Sequence, residues 1–228
     1  MKFLVQNLVL ISILAVMLIL PQEIYSQTKP IRVGVRGGWN YSFTNVEVGG
    51  LNVKGRNGIN VGGVFEYWVS DLFAIHTDVL YNMKGNKWER DLLVGTAEYT
   101  WEFDYLSIPV LAKFAFGSQA KFYLVVGPEF SFLLSGKENR EGEGWGFPNP
   151  EPGETDLKEY MNSFEFAGVF GFGVDFYVEP VVLFIDIRGS LGFTDIFKET
   201  PPDVQVEEGS IIHLVPSVSI GVLFPLGN

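Results

Sequence analysis

The chain has 228 residues, of which 47% are hydrophobic and 15% aromatic, with 26 glycines, no cysteine and a formal charge of −11. That apolar content excludes a disordered chain, and the absence of cysteine excludes a disulfide scaffold and a thiolate metal site. The acidic balance has the wrong sign for a nucleic-acid binder, which needs a basic footprint.

Residues 1–26 read as a signal peptide. Lys2 supplies the positive n-region, Leu8–Leu20 is apolar apart from Ser12, and Pro21 and Ile24-Tyr25-Ser26 precede a cleavage point before Gln27. The run is short for a bilayer span of about 20 residues; an uncleaved anchor is the alternative. Residues 27–228 are then the mature domain, and losing Lys2 and Glu23 leaves its charge unchanged.

After residue 30 the recurring period is two. Val33, Val35, Trp39, Tyr41 and Phe43 alternate with Arg32, Gly34, Arg36, Gly38, Asn40 and Ser42. Later runs behave alike: Phe122 to Leu134, Phe164 to Val178, and Ile212 to Phe224. Eight strands are expected, at roughly 30–45, 57–69, 72–84, 96–116, 120–135, 162–178, 181–196 and 210–226. Their length suits tilted strands crossing a bilayer, about 9–11 residues each plus overhang. In the fourth segment Tyr99, Trp101, Phe103 and Tyr105 share one phase, whereas Ile108, Val110, Phe114 and Phe116 occupy the other. A bulge or register change is expected near Tyr105-Leu106.

Short joins at Ser70-Asp71, Gly117-Ser118-Gln119 and Glu179-Pro180 alternate with long ones at about 46–56, 85–95, 136–161 and 197–209. Short periplasmic turns and long outward loops are the habit of outer-membrane barrels. A soluble lipocalin-like periplasmic barrel also alternates, but with its apolar face inward. Side-chain size separates the two. The polar face is rich in Gly, Ala and Ser, which fit a crowded eight-stranded lumen, and the apolar face carries Phe, Leu, Val and Trp. The expected fold is all-β: an eight-stranded antiparallel up-and-down transmembrane β-barrel in the outer membrane of a Gram-negative bacterium, a monomer in contact with lipid.

Ser219-x-Gly221-x-x-Phe224-x-Leu226 resembles the β-signal read by the outer-membrane assembly machinery, though the chain runs on through Gly227-Asn228. Asp104-Tyr105-Leu106-Ser107-Ile108-Pro109-Val110-Leu111-Ala112-Lys113 resembles the "Y-L-x-I-P-L-L-x-K" strand of PorT-like outer-membrane β-barrel proteins, a group of small OmpA-like, porin-family barrels. Val33 to Asn40 resembles their "G-x-x-x-G-x-N" first strand. The resemblance covers nearly the whole mature chain and implies the fold. The founding member is tied to a protein-secretion apparatus, a role that a shared strand motif does not transfer.

By these phases Arg32, Arg36, Glu66, His76, Asp78, Glu98, Glu102, Asp104, Lys113, Lys121, Glu129, Glu165, Asp175, Asp186 and Arg188 point inward or lie at the rim. Both signs occur, so a paired charge network filling the lumen is expected; a narrow pore for small solutes or ions along the same groups is the alternative. His76 with Asp78, or His213 with Ser217, superficially offers a catalytic pair, but these side chains face the lumen. No zinc-protease, nucleophile-elbow or P-loop pattern is present. The expectation is a non-enzymatic protein without cofactor or metal.

The segment 136–161 carries Glu138, Glu141, Glu143, Glu151, Glu154, Asp156 and Glu159 against Lys137, Arg140 and Lys158. The segment 197–209 carries Glu199, Asp203, Glu207 and Glu208 against Lys198. These acidic loops read as solvated surface; the alternative is a contact surface for a protein partner or a divalent cation, with Trp145 and Phe147 as apolar anchors.

Overall fold

The computed structural model describes residues 30–45, 52–91, 94–117, 120–145, 153–199 and 211–226. The signal-peptide reading of 1–26 and Phe147 lie outside these residues. The strands are β1 (Ile31–Thr44), β2 (Asn52–Trp68), β3 (Phe73–Asp91), β4 (Val94–Gly117), β5 (Ala120–Trp145), β6 (Gly153–Asp156), β7 (Phe164–Val178), β8 (Val181–Gly192) and β9 (His213–Leu226). A 3-10 turn covers Lys158–Tyr160.

Eight strands form a closed antiparallel ring. Each pairs with the next along the chain, and β1 pairs with β9 from Ile31 opposite Leu226 to Thr44 opposite His213. The four-residue β6 stands off the ring and pairs only with β5. Closure leaves the ring without a free edge, the condition for β-structure in hydrocarbon.

The alternation decides what faces outward. Phe65, Ile75, Phe114, Phe122, Phe172, Ile185 and Ile220 are exposed, whereas Arg36, Glu66, Asp78, Lys113 and Asp186 are buried. The faces are therefore the reverse of a soluble lipocalin-like barrel. From Leu72, the residue before β3, exposed apolar residues continue along the strand to Tyr81. Nine steps of about 3.3 Å, tilted by about 40°, span about 23 Å, close to a lipid-facing band of about 25 Å. Small inward residues make room for large neighbours. A side chain on Gly173 would meet the Tyr123 ring, and one on Gly221 the Phe184 ring.

Two expectations change. Most of the join at 85–95 is strand: β3 runs to Asp91 and β4 starts at Val94, with the ladder continuing from Gly85 opposite Glu102 to Asp91 opposite Thr96. β2 likewise begins at Asn52, and β5 continues to Trp145. Above the lipid band the outward positions become charged: Lys54 pairs with Glu89 at 2.7 Å, Lys87 with Glu98 at 2.6 Å and Lys137 with Glu154 at 2.7 Å. The apolar alternation that marks a strand stops there, while the hydrogen-bonded ladder does not.

The second change concerns β4. The β4–β5 register does shift between Asp104 and Tyr105, but the extra residue is on β5: Asp104 faces Ser135 and Tyr105 faces Leu133. β5 turns from inward Ser131 and Leu133 to inward Gly136 and Glu138. β4 keeps one phase, with Trp101, Phe103, Tyr105, Ser107, Leu111, Lys113 and Ala115 all buried. Its apolar stripe changes face because the interior itself changes from polar to apolar near the long-loop end.

Candidate functional site

The barrel interior is the candidate site, and its side chains stack in layers. At the short-turn end Arg32 donates to Tyr177 Oη at 3.0 Å and lies 4.5 Å over the Trp68 ring. Lys121 sits half-buried at the rim, donating to the Asp71 carbonyl at 3.1 Å. In the next layer Lys113 Nζ stands 2.6 Å from Glu66 and 2.7 Å from Asp175, and 3.9 Å over the Tyr123 ring. His76 bridges layers, with Nδ1 3.0 Å from Glu66 and Nε2 2.9 Å from Asp78. A neutral imidazole has one N–H and can donate to only one of these carboxylates.

A four-membered cluster follows. Arg36 meets Asp78 at 3.1 Å and Asp186 at 2.9 Å. Arg188 meets the same two carboxylates at 2.7 and 2.6 Å. Asn40, Asn60, Asn82, Ser107, Ser131 and Ser219 form a neutral layer beyond it, with Asn40 donating to Asn82 at 2.6 Å. Next, Lys84 Nζ lies 2.9 Å from Glu165 and 3.3 Å from Glu129, and His213 Nδ1 is 2.8 Å from Glu165.

The long-loop end is apolar. Trp88, Trp101, Phe103, Tyr105 and Leu133 from the strands pack with Leu157, Met161, Ile196, Phe197 and Ile211 from the connecting segments. Trp101 and Phe197 have ring centroids 5.0 Å apart, and Trp101 Nε1 donates to Glu138 at 2.9 Å. The connecting segments are tied together by Asn162 Nδ2 donating to the Asp195 carbonyl and by Asp195 accepting from the Ile211 amide.

Of the residues expected inside, Arg32, Arg36, Glu66, His76, Asp78, Lys113, Glu129, Glu165, Asp175, Asp186 and Arg188 are buried together. Glu98, Glu102 and Asp104 are not part of this network. They occupy the outward phase of β4, because the expected phase change in that strand does not occur; Glu102 pairs instead with Arg56 at 2.9 Å. Lys84 and the asparagine row were not expected. Extending the even phase of His76, Asp78 and Leu80 through Asn82 to Lys84 and Asn86 would have found them. Ser219 is buried and donates to Asn60 at 3.1 Å, and Phe224 and Leu226 are exposed toward lipid. Trp145 ends β5, and its side chain lies outside the described residues.

Residues 23–198 match the family described as the outer membrane protein beta-barrel domain, and the chain belongs to that family. No curated protein matches the chain. Among solved structures it is similar to Neisserial surface protein A (13% identity, covering 86% of this chain and 97% of that chain, TM-score 0.45). It is also similar to OprG of Pseudomonas aeruginosa (10%, 88% and 98%, 0.44). A third similar structure is Ail, the attachment invasion locus protein of Yersinia pestis (12%, 85% and 98%, 0.39).

Proposed function

We propose that this outer-membrane β-barrel is a non-enzymatic structural or binding protein of the PorT-like kind, with a plugged lumen and acidic loops that contact a protein partner outside the cell. The observation that carries the reading is the filled interior. Five buried cations, Arg32, Arg36, Lys84, Lys113 and Arg188, each reach a buried carboxylate, and an apolar cluster lies beyond them toward the long loops. Eight strands enclose a lumen just wide enough for side chains to fill, so such packing leaves little room for a solute.

In this reading residues 1–26 are a cleaved signal peptide, the short turns face the periplasm and the long loops face outward. The carboxylates of 136–161 other than the inward Glu138, and those of 197–209, with Trp145 and Phe147, supply the contact surface. Assembly uses the β9 signal formed by Ser219, Gly221, Phe224 and Leu226. Crosslinking in the native membrane followed by co-purification tests the binding role. A specific partner that is lost when Trp145 and Phe147 are changed to Ser is the expected result. Recovery of the barrel alone, from wild type and variant alike, would remove the loop-contact reading.

A further inference from the structure

Between the Arg36–Asp78–Asp186–Arg188 cluster and the Lys84–Glu129–Glu165 cluster the side chains do not fill the lumen. A cavity of about 30 Å³ remains, lined among others by Arg36, Asn40, Asn82, Glu129, Arg188 and Ser190. On two of these residues a polar atom is buried without a protein partner: Asn40 Oδ1, an acceptor, and Arg36 Nε, a donor. A polar cavity needs about 10–15 Å³ for each water, and a buried water needs two to four polar partners.

We propose that this cavity is a water site, holding about two ordered waters that join the two ion clusters into one hydrogen-bonded column along the barrel axis. A water there accepts from Arg36 Nε and donates to Asn40 Oδ1, satisfying both orphaned atoms. A buried polar atom left without a partner is otherwise costly. Charge selects water over an anion. Arg36 and Arg188 are already neutralised by Asp78 and Asp186, whereas Glu129 and Glu165 share the single ammonium of Lys84. An entering anion finds no free counter-charge to offset its desolvation and meets the excess carboxylate of that pair. The inference concerns the barrel interior alone and stands whether or not the lumen conducts.

The test uses the full chain refolded into lipid nanodiscs, with NMR magnetisation transfer from water to the side-chain amide protons of Asn40 and Asn82. Long-lived water cross-peaks to these groups are expected; their absence overturns the proposal. Val215→Ile and Val169→Ile each add one methylene at the apolar part of the wall. Expulsion of water predicts loss of the cross-peaks and a melting temperature lowered by a few degrees. A melting temperature raised by either variant, with spectra otherwise unchanged, indicates a dry cavity and overturns the proposal. An anomalous peak inside the cavity of bromide-soaked crystals assigns an anion instead and also overturns it.

Discussion

Lys113 shows what each charge inside the barrel must accomplish. It is 1% exposed, yet holds an ammonium between two carboxylates that are also shut off from solvent. Removing one member of such a group is worse than never having built it, because the remaining charges stay buried without compensation. Lys113→Met should therefore cost about 3–5 kcal/mol, measured as the shift in the urea midpoint for folding into micelles. Lys113→Met combined with Glu66→Gln should recover part of the loss. A double variant no better than the single one would show that the two charges do not act on each other. Outside the membrane the same chemistry is weak. The Lys87 ammonium hydrogen-bonded to Glu98 holds that carboxyl below its ordinary value of 4.5. A lowered folded-state value gives a contribution that is present above the ordinary range and lost as pH falls through the lowered one. Both side chains are about 40% exposed, so the pair is worth less than about 1 kcal/mol. Lys87→Gln should destabilise slightly at neutral pH, by an amount that shrinks as pH falls below the ordinary carboxylate range, in the same urea measurement. Most of the interior was legible from residue parity alone: Arg36, Asp78 and Arg188 were placed by counting in twos. Lys84 was not, although it lies inside the expected third strand at 72–84, in the parity of His76 and Asp78, with Met83 continuing the apolar face beside it.

At the level of whole strands, hydrophobic period two reports lipid contact as much as strand structure. It defined the strands well between the short turns and Tyr81, Ile108 or Leu134. On β4 it persisted to the long-loop end, so the expected 96–116 lies close to Val94–Gly117, but with aromatic residues inside and charged ones outside; on β3 and β5 it went silent above the lipid. The phase of Trp101 and Phe103 pointed to a bulge or register change near Tyr105-Leu106; the β4–β5 register does shift there, while β4 itself keeps one phase. The true extra residue on β5 falls among Phe132, Leu133, Leu134 and Ser135, where two adjacent leucines hide the slip of phase. β9 allows a clean separation of assembly from stability. Gly221 lies against Phe184 and the Val35 carbonyl, so any larger residue there disturbs packing and says nothing about recognition. Phe224 is 47% exposed on the lipid face, and a polar residue near the end of the apolar band costs only about 0–1 kcal/mol. Phe224→Asp should refold in detergent nearly as well as the wild type yet fail to accumulate in the outer membrane of cells. Equal accumulation would show that the assembly machinery does not read this residue.

For the whole molecule the proposed plug would be arranged in series. A solute entering from the short-turn end meets Arg32 between Trp68 and Tyr177, then the Lys113 layer, then the paired arginines, then Lys84 with its two glutamates, and only then the aromatic cluster around Phe197. Charged layers held by several ion pairs each do not part cheaply, because separating a pair exposes both members to a weakly polar interior. The wild-type barrel should therefore give no current steps in a planar bilayer. Phe197→Ala opens a gap in the apolar cluster without touching any ion pair, and Phe197 sits on a connecting segment outside the ring of strands, so closure survives. That variant should be less stable by about 3 kcal/mol but still non-conducting. Discrete current steps from Phe197→Ala would mean that the aromatic cluster alone seals the barrel and that the charged layers beneath it leave a path for ions, which favours the narrow-pore alternative. Silence from Phe197→Ala, with steps appearing only when Arg36 and Arg188 are also changed to Ala, would locate the seal in the charge network.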